Sequence, residues 1–556
     1  MLIRRLIQYT LLVLLVAFIT VFLLLPIGNV VETGCDRALF VEVFRNAVYR
    51  QGLVNSLAIA LVTTAMVFVI SVGLAVIYDR YEFPGKSWCN LLMMLPMILP
   101  PFVGALGFRR ILGHFGVLNA LLVRCGLERV DFLGGSGCFW SVCLIEALHL
   151  YPIFYLNVVT ALGNLDPSLD EAAANLGSSK LTRFFRIKLP LIRPGILAGA
   201  SLVLVWSFTE LGTPLMFGYT RTTAVQIFNG LTELETNPLP YTLVVIMLGF
   251  SALLYLGAKL ALGRHTVATM PKAGMGSSAR KLKSWRRFLP GAAFLGVSLL
   301  AASPHLALVL CAFFRRYHDT LLPREFTLDN FSNALSNPLV LPSINNSLRY
   351  SLLAMALAVV IGVVTSLASV RWKLRFSGVA DLLAMLPLAV PGMVVAFGYL
   401  GMSRYPWARS FFHPVENPLW LLGVAYAVRR IPYVVRSVSA GLEQTPEELE
   451  NAARNFGAAP LKVLAKITLP LIVANMLVGG LFAFSFSMLE VSDSLILAQK
   501  SEFYPITKSL YELAQILGSG PGIACAFGVW AMLFLAATLG VASAVLGKKI
   551  GAVFKF

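Results

Sequence analysis

The sequence predicts an all-α polytopic membrane protein of about twelve transmembrane helices, arranged as two parallel six-helix repeats. Three observations carry that expectation. Of the 556 residues, 58% are hydrophobic and only 13% are charged. The apolar residues fall in runs of about 20, the length a helix needs to cross roughly 30 Å of hydrocarbon, whereas barrel strands alternate over about 10. Finally, short motifs return at constant offsets, which marks an internal repeat.

In chain order, the apolar runs lie at about 9–31, 52–78, 88–112, 138–162, 195–217, 240–263, 288–314, 345–370, 377–402, 418–442, 471–498 and 523–547. The first follows Arg4 and Arg5. It is too long for a signal-peptide core and lacks a small-residue cleavage site, so it reads as a retained span. No polar stretch between runs is long enough for a soluble domain. The prolines of "LPMILPP" (95–101) and "LPLAVPG" (386–392) interrupt the third and ninth runs and predict kinks beside a pathway.

The net charge of +18 is read as loop charge rather than as a nucleic-acid surface, because Lys and Arg concentrate in cytoplasmic loops. With the N-terminus inside, the larger share of the bases falls on the inner side, and both termini are expected in the cytoplasm. Arg315, Arg316 and Arg324 lie on the opposite side. The seven cysteines form no CxxC and no zinc-ligand spacing, and they read as small apolar fillers. Cys125 and Cys138 fall in or near one outer loop. The stretch ending Gly85-Lys86-Ser87 is not a phosphate-binding loop. Arg80 occupies the position of the required glycine, and no strand–loop–helix frame surrounds it.

The repeat is explicit in the residues. "NSL" at 55–57 returns at 346–348, and "MLP" at 94–96 returns at 385–387, both at an offset of 291. Further on the offset is 280: Pro152 with Pro432, Ala172 and Ala173 with Ala452 and Ala453, Asn175 with Asn455, Gly177 with Gly457, and Glu210 with Glu490. The loss of 11 residues falls in the loop after the third span. Six spans per repeat return the chain to the same side, so the repeats are parallel, with a pseudo-two-fold axis along the membrane normal. The expected domains are residues 1–263, a cytoplasmic linker at 264–287 rich in Gly, Ser, Lys and Arg, and residues 288–556.

After the fourth span of each repeat comes a charged segment, at 166–190 and 446–470. Lys180, Arg183, Arg186 and Lys188 would each cost roughly 2.5–3.5 kcal/mol at the bilayer centre, so the segment lies in water. Its pattern is helix, glycine, helix. Asp166-Pro167 starts the first helix, Ala172, Ala173 and Ala174 favour it, and Gly177 permits a left-handed turn. A second, amphipathic helix is expected to end at Pro190.

Glu171-Ala172-Ala173, Gly177, Ile187 and Leu189-Pro190 resemble the EAA loop of permease subunits of bacterial ABC importers. In the second copy Asn451 stands where the glutamate belongs, with Glu450 one residue earlier; Ala452, Ala453, Gly457, Ile467, Leu469 and Pro470 keep the pattern. The resemblance extends over nearly the whole chain, to fused two-domain permeases such as those of the ferric-iron, thiamine and aminophosphonate importers. It implies a type I importer permease fold in the bacterial inner membrane. It further implies that Glu171, Ala172, Ala173 and Gly177, with Glu450, Asn451, Ala452, Ala453 and Gly457, dock a cytosolic ATPase, and that a periplasmic binding protein delivers the cargo. The chain encodes no nucleotide-binding motor. ATP and magnesium would be held by the ATPase, in two copies for two docking loops, with no cofactor on this chain and no catalytic residue.

For the cargo, the ionisable residues within the spans are informative. Glu210 and Glu490 are repeat-related, and Asp493 follows Glu490 by one turn. Glu146 and His149 lie on the fourth span, and Arg429 and Arg430 on its counterpart. Carboxylates about an axis suit a cation, and trivalent iron prefers oxygen ligands; the competing reading has each glutamate bracing a gate loop. Ferric iron is the first expectation, with thiamine, 2-aminoethylphosphonate and polyamines as alternatives. The competing class is a secondary transporter of major-facilitator type, which also has six plus six spans.

Overall fold

The computed structural model describes residues 2–94, 96, 101–234, 237–262, 280–315, 320 and 324–546. Among them, ten helices are long and apolar enough to cross a membrane. A bent pair, Ser377–Leu388 and Gly392–Met402, meets the same test jointly and turns by 101° at its break, as a broken span or a re-entrant loop does. The break falls on "LPLAVPG", where the helix stops at Leu388 and restarts at Gly392. The matching "LPMILPP" lies largely outside the described residues, flanked by the helices Lys86–Leu92 and Pro101–Leu112. The run at 418–442 is helical too, as Leu419–Gln444, but Arg429, Arg430 and Arg436 make it too charged to qualify as an apolar span.

The chain packs as two compact units. One comprises Met1–Tyr49, Gln226–Leu248 and Leu328–Val553; the other is built chiefly of Arg50–Val225 and Gly249–Thr327. Each unit therefore holds the first span of the other repeat. In the first unit the N-terminal span packs on Gly392–Met402. The Tyr399 hydroxyl donates to the Phe22 carbonyl at 2.5 Å, and a methyl group at Gly398 would lie 2.4 Å from the Pro26 carbonyl oxygen. In the second unit Ser284–Phe313 packs on Pro101–Arg124 in the same manner, and a methyl group at Gly107 would lie 1.7 Å from the Pro304 carbonyl oxygen. Gly107 and Gly398 are related by the offset of 291. Small residues let helix backbones approach closely, and close packing holds helices together in lipid.

The repeated "NSL" acts as a clasp. Asn55 Nδ2 donates to the Arg221 carbonyl at 3.0 Å, and the Ser56 hydroxyl accepts from the Thr223 N–H at 3.0 Å. In the other unit Asn346 Nδ2 donates to the Tyr504 carbonyl at 3.2 Å, and the Ser347 hydroxyl accepts from the Ile506 N–H at 2.8 Å. These bonds fix a short helix after the fifth span of each repeat, Thr223–Asn229 and Ile506–Gln515. Phe228 and Tyr511, equivalent positions on those helices, touch edge to face at 6.0 Å, with the Lys508 ammonium 5.5 Å from the Phe228 ring.

All seven cysteines are free, Cys125 exposed and Cys138 buried. Lys86 of the rejected phosphate loop is paired with Glu82 at 2.8 Å.

Candidate functional site

The charged segments fold alike. Pro167–Asn175 is a helix whose N-cap, Asp166, accepts from the Ser168 N–H at 2.9 Å; its counterpart is Glu448–Asn455. Both end on a left-handed glycine, Gly177 at φ +79° and Gly457 at φ +82°. The Ser178 N–H bonds the Ala173 carbonyl and the Gly177 N–H that of Ala174; Ala458 with Ala453 and Gly457 with Arg454 repeat the arrangement. This double bond pattern is a Schellman cap, and it requires positive φ at the glycine. A Cβ at either glycine meets no atom within 4 Å, so a substitution there strains only the backbone, by roughly 1–2 kcal/mol. We expect Gly177→Val or Gly457→Val to insert normally yet lose ATP-driven uptake, while Asn, which tolerates left-handed backbone, retains most of it. Uptake assays on inverted and right-side-out vesicles check this, and equal uptake by the valine variants would separate these turns from coupling.

Beyond the turn the segment continues straight into the fifth span, contrary to the expected stop at Pro190. Lys180–Phe208 and Pro460–Met488 are each one helical run. A π-turn just before the proline, Phe184–Lys188 or Leu464–Thr468, makes this possible. The Leu189 N–H reaches back to the Phe184 carbonyl, and the Leu469 N–H to that of Leu464. The extra residue in the turn opens the ladder where Pro190 or Pro470 supplies no N–H and its ring needs room.

The caps dictate which side chains face outward. Glu171 and its equivalent Asn451 are exposed, as are Ala172, Ala452, Gly177 and Gly457; Ala173 and Ala453 are half-buried. Glu450 is not a displaced Glu171. It is 5% exposed and is the equivalent of Asp170 (450 − 280). Both turn toward bases: Glu450 to Arg371 at 3.0 Å and Arg454 at 3.1 Å, Asp170 to Arg183 at 3.6 Å. The sequence reading overlooked the residue before each glycine. Leu176 is 88% exposed and Phe456 94%, a matched apolar pair at the tip of each turn. Leu169 with Leu449 and Leu181 with Leu461 are further exposed pairs at the same offset. That coincidence was available as a signal: apolar residues repeated inside a charged loop have no solvent-side use, and such patches mark interaction sites.

Within the spans the two repeats differ in charge. Glu490, 6% exposed, has its carboxylate oxygens taken by Arg429 and Arg430. Arg429 also reaches Asp493 at 3.4 Å. Asp493 is fully buried, and its Oδ1 has no hydrogen-bond partner among the described residues. The Glu490 carbonyl accepts from the Thr507 hydroxyl at 2.6 Å, just before the short helix Ser492–Leu497. Two arginines thus balance two carboxylates. In the first repeat the Glu210 carboxylate accepts from the Thr213 N–H at 3.3 Å in the first turn of Gly212–Phe217. There, however, His149 and Leu150 stand at the positions of Arg429 and Arg430. Glu146 is 3% exposed and accepts from the Ser207 hydroxyl. No group of three or more His, Cys, Asp or Glu side chains among the described residues is arranged to hold a metal ion.

Comparison with known proteins matches this architecture. The chain is 24% identical over 491 residues, 87% of its length and 89% of the relative's, to "Fe(3+)-transport system permease protein FbpB 2" of Haemophilus influenzae. It is 29% identical over 249 residues, 44% of the chain and 88% of the relative, to a "Probable molybdenum ABC transporter permease protein" of Haloferax volcanii. Over 203 residues, 35% of the chain and 70% of the relative, it is 30% identical to a "Putative 2-aminoethylphosphonate transport system permease protein PhnU" of Salmonella choleraesuis. The family described as "Binding-protein-dependent transport system inner membrane component" matches twice, at residues 71–266 and 332–545, once in each repeat. With its exchanged first spans, its duplicated capped loops and this double match, the chain belongs to that family, as a fused permease of the ABC importer type.

Proposed function

We propose that the chain forms the translocation pathway of an ATP-driven importer for ferric iron. A periplasmic binding protein delivers the cargo, and a cytosolic ATPase, in two copies, docks on the two capped loops and performs the hydrolysis. This chain then supplies no catalytic group and binds no cofactor; ATP and magnesium belong to the ATPase. The observation that carries the cargo is the pattern of relatives. Those spanning both repeats, with 79–88% of this chain matched, include three whose names specify ferric or Fe(3+) transport. The molybdenum and aminoethylphosphonate relatives match 35–44% of the chain.

Uptake of radiolabelled ferric iron into proteoliposomes containing the permease, the ATPase and the binding protein tests the reading. Accumulation should require ATP and the binding protein together. No iron accumulation alongside ATP-dependent uptake of molybdate or aminoethylphosphonate would reassign the cargo and keep the permease; uptake driven by an ion gradient without ATP would remove the pump. The proposed orientation places both termini in the cytoplasm. Cys35, exposed after the first span, should then react with an impermeant thiol reagent from the outside of intact cells, and a cysteine at Ser277 only after permeabilisation. The reverse pattern would invert the topology.

A further inference from the structure

The two capped loops are tied to their bundles differently. Arg371 lies in the π-turn Leu367–Trp372 that ends the second span of the second repeat, and its side chain is only 6% exposed. One guanidinium gathers three elements there. Nε donates to Glu450 Oε1 of the Glu448–Asn455 helix at 3.0 Å. A terminal nitrogen donates to the carbonyls of Leu442 at 2.9 Å and Thr445 at 2.6 Å, at the end of the fourth span. Those carbonyls lie at the C-terminus of the helix, where a cation is favoured. The other Glu450 oxygen takes Arg454 at 3.1 Å. The planar fork of arginine is suited to bridging several acceptors in fixed directions, and burial of both charges shields the bond from solvent and salt.

The first repeat has the parts but not the assembly. Arg80 is the equivalent of Arg371 (371 − 291), and it lies over the Tyr81 ring at 5.6 Å. Asp170, the equivalent of Glu450, is met instead by Arg183 at 3.6 Å and Lys188 at 3.9 Å, both from the helical run leading into the fifth span. The Asp170 carbonyl also accepts from Arg183 at 3.1 Å. Among the described residues the ion pair to the second span is Lys188 with Asp79 at 3.3 Å, with side chains 25% and 32% exposed. Pairs so open to water contribute little.

We infer that Arg371 is a positioning residue that locks the second docking element to the second and fourth spans, making it the stiff arm of the transporter, while the first element follows its own fifth span and is compliant. A push at the Glu448–Asn455 helix is transmitted to the spans on which Arg429 and the Ser347 clasp sit. A push at Pro167–Asn175 is transmitted to Lys180–Phe208. The assignment of these elements as docking sites rests on the function proposed above, so the test includes a readout that needs neither cargo nor ATPase.

Spin labels at Glu443 and Asn455 span the end of the fourth helix and the end of the docking helix; labels at Gly163 and Asn175 are their equivalents. We expect a narrow distance distribution in the second repeat, a broader one in the first, and broadening of the second in Arg371→Met to match the first. In the reconstituted system Arg371→Met should lower cargo transported per ATP at least tenfold while ATP hydrolysis continues. Arg371→Lys, which keeps the charge but not the fork, should recover part of the ratio, and Arg80→Met should change it less than twofold. Should Arg371→Met fail to insert, Glu450→Ala decides, because it leaves Arg371 its two carbonyls and removes its hydrogen bond to the docking helix, leaving there only the longer approach to Glu447 at 3.7 Å. Equal widths in the two repeats of the wild type, or an unchanged transport ratio in Glu450→Ala, would overturn the asymmetry. A lack of iron transport with the widths as expected would instead leave it standing and return the cargo to question.

Discussion

Replacing Leu176 and Phe456 together with aspartate should abolish association with the ATPase while leaving the protein folded in the membrane. Both side chains already stand almost wholly in water, at 88% and 94% exposure, so the free protein loses no packing. On docking, a Leu or Phe carried from water into an apolar pocket contributes roughly 1.5–3 kcal/mol. Aspartate forfeits that and adds the cost of desolvating a charge against a partner pocket shaped for a hydrocarbon. Each substitution therefore costs at least about 1.5–3 kcal/mol, or 10–150-fold in affinity, and the two act on separate contacts of one assembly, so the double variant should fall below detection in co-purification. Size-exclusion chromatography of the detergent-solubilised complex provides the measurement. Glu171→Gln and Asn451→Asp, which change only charge at exposed positions, should remain assembled within a few-fold of wild type. Full assembly of the aspartate double variant would show that the ATPase seats elsewhere.

What the sequence made legible follows from which forces are local. Runs of apolar residues announce spans because lipid leaves a helix no alternative partner for its backbone. The offsets of 291 and 280 announced the duplication, and Gly177 and Gly457 announced turns, because a left-handed position is a property of a single residue. The exchange of first spans was not legible, since Gly107 against Pro304 and Gly398 against Pro26 are contacts between distant stretches with no shared pattern. Pro190 was misread as a stop because the rule for proline in a helix assumes an α ladder, and the preceding π-turn removes the clash. Glu450 and Glu490 illustrate a further limit. A carboxylate in a polar loop or an apolar span looks alike whether it faces a ligand, a partner or an arginine. Only the tertiary structure shows that Arg371 meets the one and Arg429 and Arg430 the other. The count of spans differed for the same reason: Leu419–Gln444 carries the arginines that this cluster needs, and they take the helix out of the apolar class.

The paired glutamates within the spans should respond oppositely to the same substitution. Glu490→Gln removes one negative charge from a buried set of two arginines and two carboxylates and leaves Arg429 and Arg430 with Asp493 alone. Breaking a buried ion pair from one side costs about 3–5 kcal/mol, because the remaining charge keeps its desolvation penalty and loses its partner. We therefore expect Glu490→Gln to unfold at markedly lower temperature in detergent and to insert poorly, with Arg430→Met behaving likewise. The joint variant Glu490→Gln with Arg430→Met, which restores the balance, should recover much of the loss. Glu210→Gln is different. Its amide oxygen can still accept the Thr213 N–H that caps Gly212–Phe217, and His149 and Leu150 stand there in place of the two arginines that Glu490 holds. Stability should hold, and uptake of ferric iron should fall, because a carboxylate that would favour a passing cation has been replaced by a neutral amide. Thermal unfolding followed by tryptophan fluorescence, set beside iron uptake at equal protein, separates the two effects. Loss of stability in Glu210→Gln, with uptake per folded molecule unchanged, would make Glu210 a brace and move the cation path away from the first repeat. Unimpaired stability in Glu490→Gln would mean that the arginines find other partners and that the cluster does not hold the Ser492–Leu497 turn in place.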